Sequence, residues 1–216
     1  LRTFVRIMRS GVVGRSSLGT RPKRLVQHWL ENAGSMRLMQ AATGRDSSLA
    51  DIVRMVHPKP ADAERRAFYG WLLGRPYDIA ALPPAVAGFE AWKRDRTLAL
   101  PEVPFEWLTA FDLTAENWAT LSGRMGWQAL RMNLNTLARH GAFDVAGATE
   151  QVAARLVDPD QVRQARVMPY QLLAAVSSVD VAVPAAVKAS LVEALDLSLA
   201  SVPVVTGKIV VAPDVS

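Results

Sequence analysis

The sequence predicts an all-α protein assembled from many short helices joined by short loops. Three observations predict it. Apolar residues recur at helical spacing along most of the chain, as in Leu49, Ile52, Val53 and Val56, and these three- and four-residue steps share one helix face. The 13 prolines fall at the edges of such runs, where a missing amide hydrogen ends a helix or begins one. Only Lys208 to Ala212, KIVVA, reads as a strand, being short, β-branched and preceded by a turn region. Helices in such number suit a bundle or an irregular α-solenoid, since no fixed-period repeat is visible.

The elements follow in order. Lys23 to Glu31 sets Leu25, Val26, Trp29 and Leu30 at helical spacing. The Gly34-Ser35 break precedes a short helix over Met36 to Ala42. Ser48 and Asp51 form a capping box for the helix that carries the Leu49 to Val56 stripe. Pro58 and Pro60 end it, and Ala63 to Leu73 follows, stopped near Gly74 and Pro76. After a proline-punctuated connection over 76–84, the spacing predicts a helix over Ala85 to Arg96. Thr114 caps the helix of Trp118 and Leu121. One helix is expected from Trp127 to Arg139, closed by Gly141, and another over Thr149 to Val157. Asp158-Pro159 is a strong start signal, a capping carboxylate followed by proline in the first turn. Proline also opens the runs Pro169 to Ser178 and Pro184 to Leu199.

Composition narrows the function classes. The chain has 216 residues, half of them apolar, enough for one large domain or two small ones with a substantial core. There is no cysteine, which excludes disulfides, thiolate catalysis and Cys-ligated metal sites within this sequence. No apolar run approaches the length that spans a bilayer. The amino-terminal stretch LRTFVRIMRSG has scattered arginines and no apolar core of a signal peptide. The lack of cysteine fits a reducing compartment, and a cytoplasmic location is expected. The chain begins without Met, and we expect it to start inside a longer protein.

The net charge is +5, and its placement says more than its size. Residues 1–66 carry 13 Lys or Arg against five Asp or Glu, while residues 67–216 carry 12 against 15. Such asymmetry points to an anionic partner, nucleic acid before a membrane surface, or else to a solvated basic face. The three histidines, His28, His57 and His140, lie far apart, and no HExxH, GxSxG, P-loop or GxGxxG is present. No enzymatic activity is therefore expected.

The candidate residues are cationic. His57 closes a helix before Pro58-Lys59-Pro60. It has two readings: a helix-end cation favoured by the dipole, or a groove-edge residue beside Arg54 and Lys59 that meets phosphate or base. Arg15, Arg21, Lys23 and Arg24 lie in a Gly/Ser-rich basic segment that suits phosphates. Arg45 precedes a helix start, where amides and a guanidinium together suit an anion. The six tryptophans sit within apolar-periodic stretches and read as core anchors. Asp214-Val215-Ser216 follows the strand as half of a DxSxS cation site, Asp214 and Ser216 being its first two ligands.

Four segments, in order, resemble the TROVE domain of Ro autoantigen-type RNA-binding proteins, bacterial orthologues included. They are LADIVRMVHPKP (Leu49 to Pro60), NWATLSGRMGWQALRMNLNTLARHG (Asn117 to Gly141), RQARVMPYQLLAA (Arg163 to Ala175) and TGKIVVAPDVS (Thr206 to Ser216). The last resembles the family's junction into a von Willebrand factor A domain. The resemblance implies that residues 1–203 are part of a HEAT-like helical-repeat ring, and that residues 204–216 begin a truncated A domain. It implies binding of small structured noncoding RNAs of the Y RNA kind, and of single-stranded 3′ ends of misfolded RNA. It also implies association with a 3′ exoribonuclease such as polynucleotide phosphorylase, and no catalysis in this chain. By position, His57 matches the family histidine that contacts Y RNA, and Arg45 lies in a loop of basic RNA contacts. Arg15, Arg21, Lys23 and Arg24 correspond to a basic helix entry. Gln40, Met132 and Met168 stand where the family has Lys, Arg and His, and Pro213 replaces an apolar residue. No cofactor is expected here, with Mg²⁺ held only by a completed A domain. A rival reading is an α-solenoid scaffold for an acidic protein partner.

Overall fold

The computed structural model describes residues 1–12, 18–43, 48–203 and 207. Among them every regular element is helical, and they divide into two compact units, Leu1–Phe111 and the unit beginning at Asp112. The expected strand over 208–212 lies outside the described residues, as do Arg15, Arg45, Asp214 and Ser216.

The first unit contains α1 (Arg2–Arg9), α2 (Thr20–Asn32), α3 (Ser35–Ala42), α4 (Leu49–Val56), α5 (Ala63–Leu73), α6 (Pro84–Arg94) and the single turn α7 (Phe105–Leu108). Helices α1, α2, α3 and α5 all pack on α4. The reason is its face: Leu49, Ile52, Val53 and Val56 are buried, as the stripe predicts. Ser48 accepts the amide hydrogen of Asp51 at 3.2 Å and donates its hydroxyl to the Asp51 carboxylate at 2.6 Å, so the predicted cap forms. Asp62 caps α5 through the Arg65 amide at 2.6 Å. Gly74 ends α5 in the left-handed conformation, φ 65°, which glycine adopts without steric cost. Gly70, inside α5, answers a different need. A Cβ there would stand 2.8 Å from the Tyr77 Cβ, so only glycine lets the returning chain close on the helix. An aromatic cluster joins α5, α6 and α7: Trp71 lies 5.3 Å from Trp107, and Phe89 lies 5.5 Å from Trp107. Arg96 covers Trp92 at 3.9 Å. Neither α1 nor α7 is foreseen by the sequence pattern.

The second unit contains α8 (Ala115–Arg124), α9 (Trp127–Met132), α10 (Leu134–Arg139), α11 (Ala148–Leu156), α12 (Pro159–Ala165), α13 (Pro169–Ser178) and α14 (Ala185–Ser198). Helix α14 packs against α11, α12 and α13. Asp158 accepts from the amides of Asp160 and Gln161, at 2.9 and 3.1 Å, as its position before proline predicts. The single helix expected from Trp127 to Arg139 is instead two. Asn133 sits between them at φ −103°, ψ 7°, and its side-chain amide donates to the Ala129 carbonyl at 2.8 Å. That local bond competes with the regular ladder, and the helix breaks where asparagine offers the alternative. Two arginine-to-carbonyl bonds close the unit's other joint: Arg155 donates to Ser122 O at 2.5 Å and Met125 O at 2.6 Å.

Candidate nucleic-acid interface

The end of α4 organises the site. His57 closes the helix in the left-handed region, φ 51°, ψ 62°, while its amide still donates to Val53 O at 3.0 Å. A non-glycine residue there is strained by about 1 kcal/mol. The buried face of α4 offsets the strain, and so does Gln27 of α2. Its Nε2 donates to Val56 O at 2.5 Å and to His57 O at 3.4 Å. The result is an exposed imidazole at a held helix end.

The chain then turns through Pro58 to Pro60 and is fastened on both sides. The Lys59 amide donates to the Glu31 carboxylate at 3.2 Å. Arg66 donates to the carbonyls of Pro60, at 3.3 Å, and Ala61. Below, Tyr69 is buried and donates its hydroxyl to Leu30 O at 2.7 Å, beside Arg65, which donates to the same carbonyl at 2.5 Å. Burial pushes the Tyr69 phenol well above its ordinary value, so it stays a neutral donor.

These pieces enclose an open cleft of about 450 Å³. Arg54, His57, Lys59, Arg66 and Arg75 line it together with the apolar surfaces of Val53, Leu73 and the prolines, and no carboxylate does. Arg54 pairs with Asp51 at 3.1 Å, an exposed pair of little net worth. The Ser48 hydroxyl, ahead of the Arg54 charge, holds the Asp51 carboxyl below its usual range. The side chains of His57, Lys59 and Arg75 have no hydrogen-bond or ion-pair partner among the described residues. Unpaired Lys59 and Arg75 side chains on a concavity whose lining holds no carboxylate attract an anion.

The structure thus brings together Arg54, His57 and Lys59 of the expected residues. Lys23 and Arg24 lie four and three positions before Gln27 on α2, on the helix face anchored at His57. Arg21 lies six positions before Gln27, off that face. Arg66, Arg75 and Tyr69 complete the cleft and are not foreseen from sequence. The Arg65-Arg66 pair and Arg75 stand in the sequence, but no local pattern tells which arginine turns back to the His57 loop. Of the tryptophans, Trp92, Trp118 and Trp127 are buried and Trp29, Trp71 and Trp107 half-buried, in keeping with core anchors. His140 stacks on Trp118 at 4.5 Å, and His28 meets Asn32 at 3.2 Å, so neither joins the cleft. Among the described residues no cluster of His, Asp and Glu could hold a metal ion, and no helix is long and apolar enough to cross a membrane.

The family profile described as TROVE domain matches residues 47–202, which includes every cleft residue from Val53 to Pro76. The crystal structure of the Deinococcus radiodurans Ro (RSR) protein is similar with a TM-score of 0.62 at 24% identity. The likeness covers 94% of this chain and 46% of that one, so the chain spans about half the length of that relative. It shows the same all-α, helical-repeat solenoid fold. No curated protein matches significantly.

Proposed function

Because this chain belongs to the TROVE domain family, we propose that it binds RNA, with the cleft at the end of α4 as part of the interface. The observation that carries the reading is four cationic side chains and the His57 imidazole lining one cleft without a carboxylate. Lys59, Arg66 and Arg75 hold phosphates, while His57 donates to phosphate or stacks on a base. Lys23 and Arg24 extend the phosphate track along α2, and Arg54 contributes once its link to Asp51 opens. The ligand is a small structured noncoding RNA of the Y RNA kind, and a second class is misfolded RNA with a single-stranded 3′ end. The role is binding without turnover, in a cytoplasmic ribonucleoprotein that can hand RNA to a 3′ exoribonuclease. The Deinococcus Ro protein supports the reading through its shared fold.

A gel-shift salt titration tests it. The probe is a stem-loop RNA with a single-stranded 3′ tail, measured against wild type, His57→Ala and Lys59→Gln/Arg75→Gln. Each single-strand phosphate that the protein no longer neutralises makes the log–log slope shallower by about 0.7. The double variant is expected to show a slope shallower by roughly 1.4, and His57→Ala to weaken binding at every salt concentration. Equal, weak binding with parallel slopes for all three proteins would overturn the reading in favour of a protein scaffold.

A further inference from the structure

The second unit has a cavity of its own, about 250 Å³ in volume. Its apolar floor includes Leu134, Ala175, Val179 and Leu191. Its one charged lining residue is Arg131. The guanidinium is held in place: Nε donates to Gln128 Oε1 and Nη1 to Gln171 O, both at 3.1 Å. No carboxylate pairs with it among the described residues, and Nη2 has no partner among them. Burial pulls Arg131 below the ordinary guanidinium value, and no neighbouring charge offsets that. Asn135 is already spent as a strut, donating to Ser178 O at 3.1 Å and accepting from the Asp180 amide at 2.8 Å. One oriented, uncompensated cation therefore stands over an apolar floor.

We propose that this cavity binds a small monocarboxylate with a branched apolar body, its charge on Arg131 and its body against Leu134, Val179 and Leu191. A planar guanidinium matches a carboxylate with paired donors. A phosphate monoester brings a second negative charge, and the lining offers no second cation for it. The volume admits a short body and excludes a long chain. Two sources carry this chemistry: a free branched acid, or the carboxyl-terminal residue of a peptide. The inference is independent of the RNA reading, since it uses none of the cleft residues.

NMR titration of the whole chain tests it with isovalerate, isoamyl alcohol, inorganic phosphate, N-acetyl-leucine and N-acetyl-leucine amide. Isovalerate is expected to saturate shifts around Leu134 and Leu191, at least roughly tenfold more tightly than the alcohol or phosphate. Arg131→Gln is expected to lose that margin. Ala174→Phe keeps Arg131 but blocks the mouth, and is expected to abolish binding, which guards against a variant that merely loosens α9. N-acetyl-leucine binding more tightly than isovalerate, with its amide silent, identifies a chain terminus; the reverse order identifies a free acid. Equal binding of acid and alcohol, or an unaffected Arg131→Gln, overturns the proposal.

Discussion

Replacing Arg155 by Met is expected to destabilise the second unit by about 1.5–3 kcal/mol. Arg155 reaches from α11 to the carbonyls of Ser122 and Met125 at 2.5 and 2.6 Å. Both residues that offer those carbonyls are 1% exposed. Hydrogen bonds from a charged donor contribute roughly 1.5–3 kcal/mol each, and a buried carbonyl left alone loses about 1–3 kcal/mol. Two such bonds give a gross loss of about 3–6 kcal/mol. Against this, burial already disfavours the guanidinium, and methionine removes that penalty while keeping most of the aliphatic stem, which leaves roughly half the gross loss. Urea unfolding followed by tryptophan emission is the assay, because Trp127 donates to Leu156 O at 3.2 Å and reports on the same joint. With a urea slope of about 1–3 kcal/mol/M, the midpoint should fall by roughly 0.5–3 M. Arg155→Lys can satisfy one carbonyl at a time and should lie between. A midpoint shift below about 0.3 M for Arg155→Met, or a lysine variant equal to wild type, would refute the reasoning.

Other outcomes follow from the same geometry. His57→Gly should raise stability by up to about 1 kcal/mol, because glycine adopts the left-handed helix end freely, while it weakens RNA binding; thermal melts and gel shifts read the two opposite signs. Gly70→Ala should destabilise the first unit by about 1–3 kcal/mol, since its Cβ meets Tyr77 Cβ at 2.8 Å, and denaturant titration checks it. Acid should lower the stability of each unit. The carboxyls of Asp51, Asp95, Glu116 and Asp158 are held below their ordinary values of 3.8 to 4.5, chiefly by hydrogen bonds. Their contribution is complete above the unfolded-state values and fades as pH falls through the lower folded ones. Asp158→Asn should flatten the stability–pH curve below about pH 4.5, as melts between pH 2 and 6 would show.

Much of the helical order was legible because it is local. The α4 stripe, the Ser48 and Asp158 caps and the Gly74 stop each follow from residues within one or two turns. The split at Asn133 was not, because the good helical residues of α9 and α10 on either side outvote one side chain that folds back on Ala129. Arg54, His57 and Lys59 were readable as one cluster because they are neighbours in sequence. Arg66 and Arg75 reach the same cleft only because Gly70 lets Tyr77 close on α5, an approach of backbone segments that no spacing announces. Arg131 was hidden for a similar reason, since its lack of an acidic neighbour is a property of packing.

Five arginines share one habit. Arg2 reaches Thr43 O, Arg65 Leu30 O, Arg66 Ala61 O, Arg131 Gln171 O and Arg155 Met125 O. Each joint is an ion meeting a peptide dipole at short range, and of the five only Arg65 also has a carboxylate within ion-pair distance, Asp62 at 3.4 Å. Phosphate contacts are the opposite case, since each one releases counterions and weakens as salt is added. If RNA occupies the cleft as proposed, a salt concentration that strips it away is expected to leave these joints largely intact, so that release need not loosen the fold.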